Sequence, residues 1–359
     1  MSASSVGTPP FTPAKALPFI SNLQILRAVA AIIVVMFHTL KTVQEYGFGP
    51  DDIFVLRQWG YHGVDLFFVI SGFVMVFIQA GKVRSQADFL INRVIRIVPA
   101  YWLLTSFVFA LLLVAPNMFR MLTASWPLFL SSMTFTTFLL PEDFGPPLLY
   151  VGWTLEYEML FYLIFATSFF LDGWTKKFVF QFFVLSILTI TGVTSFLVYE
   201  FLVGELCAFY YLSGRRLPAP MIVLALGVVG MNLPFMIESH IPVSIAEYRA
   251  LFFSLPAALV VLGAAFTRQT SSRPLITIGD ASYSIYLIQI LTIGFFCKLF
   301  SRFAPGMPAP IVTLATVGGT IVAGLLFHLL LEKPVATWLQ RLRAQLAQTK
   351  AAPAIVATQ

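Results

Sequence analysis

Charge is what this sequence has least of: only 11% of its 359 residues are Asp, Glu, Lys or Arg, under half of the roughly 25% usual in soluble domains. So few charges cannot coat a water-facing surface, which excludes an ordinary soluble globule. Cysteine is nearly absent as well. Cys207 and Cys297 are the two present, both inside apolar stretches where a thiol behaves as a small buried hydrophobe, and they supply neither a disulfide framework nor metal-ligand spacing. Also missing are a Walker glycine loop, an H-E-x-x-H zinc motif and a G-x-S-x-G nucleophile elbow. Met1–Pro18 lacks the basic region, short apolar core and cleavage site of a signal peptide and reads as a disordered tail. The net charge of +6 and pI near 9.3 would suggest nucleic acid in a soluble protein. Here the basic residues lie in short connections between apolar runs, so membrane topology accounts for them and no nucleic-acid partner is expected.

What is abundant is apolar: 58% of residues are hydrophobic, 37 of them Phe, and mean hydropathy is +0.87. About 20 apolar residues cross a bilayer as a helix. Runs of that kind fall near Ile20–Leu40, Tyr61–Ala80, Pro99–Pro116, Val151–Leu171, Phe178–Gly192, Ser195–Leu212, Met221–Ile237, Tyr248–Phe266, Ile278–Phe300 and Ile311–Leu331. The expected fold is therefore all-α and polytopic, with about ten transmembrane helices. Trp126–Leu140 is shorter, rich in Ser and Thr, and closed by Pro141. Counting it as a crossing scatters the basic clusters over both faces, so it is expected to be re-entrant or interfacial. Ten spans then gather Lys82, Arg84, Arg93, Arg96, Lys176, Lys177, Arg215, Arg216, Arg268, Arg273, Lys333, Arg341, Arg343 and Lys350 on one side, which the positive-inside rule names cytoplasm. Glu45, Asp51, Asp52, Glu142, Asp143, Glu238 and Glu247 fall on the other side. The expected organisation is a tail at 1–18, a membrane domain at 19–335, and a C-terminal tail at 336–359 with a disordered Ala-rich end after Arg343, both termini being cytoplasmic. Ser85–Val98 has apolar residues at helical spacing and reads as an amphipathic helix that enters the third span through Pro99.

Ionisable residues inside spans are costly and tend to mark sites or pathways. Arg27 and His38 in the first span are eleven residues apart, which puts them within roughly 20° of one face and about 16 Å apart along the axis. That polar stripe could line a path between compartments; the alternatives are an arginine reaching the inner headgroups and a hydrogen-bonded interfacial histidine. Asp65, at the start of the second span, is a candidate for orienting His38, for pairing with a basic side chain, or for capping its helix. Glu156 and Glu158 point about 200° apart, so at most one faces the centre, and Glu158 is the deeper. Its alternative is a structural partner for Arg or Tyr. Arg93 and Arg96 are one turn apart and suit phosphate or anionic lipid headgroups. Glu205 and the Asp280–Gln289 stretch are assigned to helix packing. A His-centred site remains.

The segments LRAVAAIIVVMFH, GVDLFFVISGF, NRVIRIVPAYW, WTLEYEMLFY, GDASYSIYLIQ and LLEKP, in this order from about Ser21 to Pro334, resemble the acyltransferase-3 family of bacterial membrane acyltransferases. The compact form is most similar to exopolysaccharide acetyltransferases of succinoglycan-type systems. The resemblance implies transfer of an acyl group, usually acetyl, from cytoplasmic acetyl-CoA to a hydroxyl of a surface glycan or its lipid-linked oligosaccharide precursor, without a metal, in the cytoplasmic (inner) membrane. By position it implies catalytic roles for His38, Arg27, Glu158 and Asp65, and donor binding by Arg93 and Arg96; Glu156 stands where the family is usually not acidic. The residues alone leave open whether His38 is a general base or a transient acyl carrier. They also leave a second class of function, a transporter or flippase for a glycolipid or small polar solute, because a polar stripe through a helical bundle suits solute passage too. A membrane scaffold is the third.

Overall fold

A computed structural model describes residues 17–48, 60, 62–81, 84–116, 123–237 and 248–351. All the regular structure among them is helical. Most of the expected N-terminal tail, the acidic positions Asp51, Asp52, Glu238 and Glu247, and Lys82 lie outside the described residues. Thirteen α-helices follow one another in the described chain: α1 Ser21–Glu45, α2 Gly63–Gly81, α3 Gln86–Val114, α4 Trp126–Thr134, α5 Gly152–Thr167, α6 Trp174–Ile190, α7 Tyr199–Leu212, α8 Pro220–Ile237, α9 Arg249–Phe266, α10 Arg273–Asp280, α11 Ser282–Phe303, α12 Ala309–Phe327 and α13 Lys333–Ala351.

Each of the ten apolar runs is helical over most of its length, the run Ile278–Phe300 taking in the end of α10 as well as α11. By length and composition six described helices can cross a membrane: α1, α2, α3, α9, α11 and the rod that starts at α12. Large apolar side chains face outward along them and their neighbours, among them Leu103 and Phe107 on α3, Phe183 and Ile190 on α6, Val229 on α8 and Leu251 on α9. A water-facing surface does not carry apolar patches on this scale; a lipid-facing one does. The chain is a multi-pass helical membrane protein.

Local chemistry sets the helix ends. Ser85 caps α3, its Oγ accepting from Asp88 N at 3.1 Å, so the amphipathic segment and the third span form one helix with Pro99 inside it. Ser125 caps α4, which covers only nine residues before Phe135 turns left-handed at φ 59°. Nine residues rise about 14 Å, half the hydrocarbon thickness. α12 runs through a π-helical turn at His328–Glu332 into α13, so the stretch after Arg343, expected to be disordered, stays helical to Ala351. There the guanidinium of Arg343 ties α13 to Asp88 and Asn92 of α3.

α1 is central, touching α2, α9, α10, α11 and α12. α2 lies closest on α7, because Gly72 and Gly204 let backbones meet: a Cβ on Gly72 would sit 1.9 Å from the Phe201 carbonyl oxygen, and one on Gly204 2.1 Å from that of Val69. This is the close approach that small residues permit between membrane helices. Asn22 at the start of α1 bonds Ala264 in the last turn of α9 and Thr267, Arg268 and Thr270 after it, so these ends share one side of the bundle.

Candidate functional site

Two adjoining hollows occupy that side and the middle of the bundle. The inner cavity has a volume of about 80 Å³. α1 contributes Arg27 to it, α2 Phe67, Phe68, Ser71 and Val74, α3 Arg93 and Arg96, α5 Thr154, Glu158 and Tyr162, and α11 Tyr283 and Tyr286. Arg93 and Arg96 are one turn apart and so share a face. The Arg93 guanidinium lies 5.8 Å from the centres of both the Phe89 and Tyr162 rings, a cation–π setting, and its Nε is buried with no hydrogen-bond partner. Glu158 Oε1 accepts from Ser71 Oγ at 3.0 Å and from the Tyr162 hydroxyl. Three guanidinium groups against one carboxylate leave the cavity cationic, which suits an anionic guest.

The second hollow is a vestibule at the end where α1 begins and α2 finishes. Arg27, Arg93 and Arg96 line it too, so these three side chains form the neck between the two spaces. Gln24, Arg84, Asn92, Asp280, His328, Glu332, Lys333 and Gln340 complete its wall. Glu332 is held at the π-helical turn, accepting from Ser284 Oγ at 2.5 Å and lying 2.7 Å from His328 Nδ1. Such turns recur at functional positions in helices.

His38 sits at the far end of α1. Its ring lies between Phe37, centroids 5.0 Å apart, and Tyr150, 5.7 Å apart, both edge-on. It does not line the inner cavity. The cavity ceiling on that side is made by Thr154 Oγ1 and Tyr286 OH, 2.8 Å apart and each 3.1 Å from the carbonyl of Val151, the residue after Tyr150. Asp65 is engaged elsewhere: Arg249 holds it with two hydrogen bonds, Nε to Oδ1 at 3.0 Å and Nη2 to Oδ2 at 2.6 Å, in a buried setting. Glu156 tethers the turn after α4, accepting from Thr137 N and Oγ1 at 2.9 and 2.7 Å.

A family model described as an acyltransferase domain matches residues 20–328. The chain belongs to the acyltransferase-3 family. Among curated proteins it is 31% identical over 298 residues to the exopolysaccharide production protein ExoZ of Rhizobium meliloti (strain 1021), covering 77% of this chain and 89% of that one. No solved structure matches it.

Of the residues singled out in this acyltransferase-3 sequence, the structure brings together Arg27, Arg93, Arg96 and Glu158. It leaves His38 at the opposite end of the polar stripe and gives Asp65 to Arg249 instead of His38. Glu158 does not face His38; its partners are Tyr162, Ser71 and the arginine neck. Tyr162, Ser71, Thr154, Tyr283 and Tyr286 are site components that sequence reasoning misses. Tyr162 is one turn from Glu158, and that i,i+4 spacing is the signal that could have found it. The two α11 tyrosines fall in the GDASYSIYLIQ segment, which reads in the sequence as packing.

Proposed function

We propose that this protein transfers an acyl group, most simply acetyl, from cytoplasmic acyl-coenzyme A to a hydroxyl of an exopolysaccharide or its lipid-linked precursor, at the bacterial inner membrane. The observation that carries the reading is the shared neck: three arginines line both a cationic vestibule and the inner cavity. Guanidinium groups make charge-assisted, often bidentate bonds to phosphate oxygens, and coenzyme A presents phosphates with a thioester on a slender arm. In this reading Arg93 and Arg96 hold the phosphates while the arm passes the neck. Arg27, at the same neck and about 16 Å along α1 from His38, adds a third guanidinium to the set that holds the donor's phosphates.

The transfer balances without a further reagent. The acceptor oxygen forms the new ester bond, the C–S bond breaks, and the hydroxyl proton passes to the His38 imidazole while the departing thiolate takes up a proton. Glu158, fixed by Tyr162 and Ser71, keeps the guanidinium groups aligned. The similarity to an exopolysaccharide production protein supports a glycan acceptor. The basic clusters support a cytoplasmic vestibule: Arg84, Arg93, Arg96 and Lys333 gather at one end of the bundle, the end that the positive-inside rule assigns to the cytoplasm.

Membranes containing the protein, supplied with labelled acetyl-coenzyme A and glycan, should yield labelled glycan. The exopolysaccharide of a deletion strain should lack one acyl mass increment per repeat. Unchanged glycan mass on deletion, or movement of solute without consumption of a donor, would refute the reading.

A further inference from the structure

The chain just before α5 has an unusual exposure pattern. Pro147, Leu148 and Leu149 are buried, Tyr150 is 43% exposed, and Val151 and Gly152 are buried again. The stretch is pinned on both sides of the tyrosine: Leu148 N donates to Ser132 Oγ at 3.0 Å, and Gly152 N to Leu149 O at 2.6 Å. The ring is thus carried on a rigid support with nearly half of its surface exposed. It stands edge-on to His38, and exposed Lys41 follows one turn beyond His38 on α1.

We propose that Tyr150 is the stacking platform of an acceptor subsite for a pyranose ring, set beside the His38 imidazole. The inference rests on the acyltransferase reading above and adds to it the place where the sugar lies. A pyranose has an apolar face of axial C–H groups and a rim of equatorial hydroxyls. Stacked on Tyr150, it turns that rim toward the neighbouring His38, which accepts the proton of the hydroxyl being acylated, and toward the Lys41 ammonium. The thioester arrives from the opposite side, past the Thr154–Tyr286 ceiling, so donor and acceptor never compete for one space. Tyrosine serves here because it offers a wide, rigid contact face at little cost in side-chain freedom.

The test uses the full chain in lipid nanodiscs with saturating labelled acetyl-coenzyme A. The acceptor is oligosaccharide from the cell's own exopolysaccharide, de-O-acylated with mild alkali. Tyr150→Ala and Tyr150→Leu should raise the acceptor KM about tenfold, the loss of roughly one aromatic contact. Tyr150→Phe should stay within about twofold of wild type, because the stacking face survives. kcat at saturating acceptor and the coenzyme A Kd should not change in any of the three. An unchanged acceptor KM in Tyr150→Ala, as expected of a tyrosine that merely marks the bilayer interface, overturns the platform, and so does a Tyr150→Phe as impaired as Tyr150→Ala. Wild-type protein that binds coenzyme A yet acylates none of the oligosaccharides overturns the glycan-acceptor reading together with the platform.

Discussion

Glu158 is fixed by two hydroxyl donors and faces a cationic neck, an arrangement that makes its charge, more than its shape, the useful property. Glu158→Gln keeps the volume and can still accept from Tyr162 and Ser71, but no longer balances the guanidinium groups. The expected result is a fall in kcat of about tenfold, the worth of one charge-assisted bond, with little change in thermal midpoint; intact turnover would assign Glu158 to packing. Asp65 belongs to a different class. Its bidentate pair with Arg249 is buried, and removing one partner of such a pair typically costs about 3–5 kcal/mol. Asp65→Ala should therefore lower the unfolding midpoint in detergent markedly, while protein that remains folded keeps wild-type coenzyme A affinity. A selective loss of donor binding at unchanged stability would return Asp65 to the chemistry.

At the scale of elements, the α2–α7 contact is the tightest constraint near the site, since Ser71 and Gly72 are adjacent and Gly72 meets backbone. Gly72→Val forces the two helices apart and should cost at least about 1–3 kcal/mol, reducing both folded yield and transfer. Gly294 in α11 has open space where a methyl carbon would stand, with nothing within 4 Å, so Gly294→Ala should be neutral or slightly stabilising through helix propensity; thermal midpoints of the two variants make the comparison. The helices themselves are legible in the sequence because apolarity is a property of each segment alone, and all ten runs carry a helix. That Glu158 and not Glu156 lines the cavity is legible as well, since their spacing lets only one face the centre and Glu158 lies deeper in its helix. What faces His38 or Asp65 is not, because the phase of one helix says nothing about which neighbour lies opposite; Arg249 is 184 positions from Asp65. Nor do Tyr283 and Tyr286 stand out in a chain that is 15% aromatic, where a cavity-lining ring and a packing ring look alike.

Across the whole molecule, the proposed reaction divides its work between the two ends of α1. Basic side chains from α1, the α2–α3 connection, α3 and the α12–α13 rod converge at one end, and His38 with Tyr150 lies at the other. If the basic end is cytoplasmic and ten helices cross, a fluorescent reporter fused after Asp172 should be active and an alkaline phosphatase fused there inactive. The reverse pattern would overturn the topology and with it the side from which the donor enters. The most direct test of the central claim is calorimetric titration of coenzyme A into purified wild type, Arg93→Ala/Arg96→Ala and His38→Ala proteins, each also assayed for acyl transfer. Binding should be about a hundredfold weaker in the double arginine variant, and His38→Ala should keep wild-type affinity without transfer. Equal affinity in the arginine variant, or full transfer without the imidazole, would contradict a donor gripped at the neck and an acceptor activated by His38.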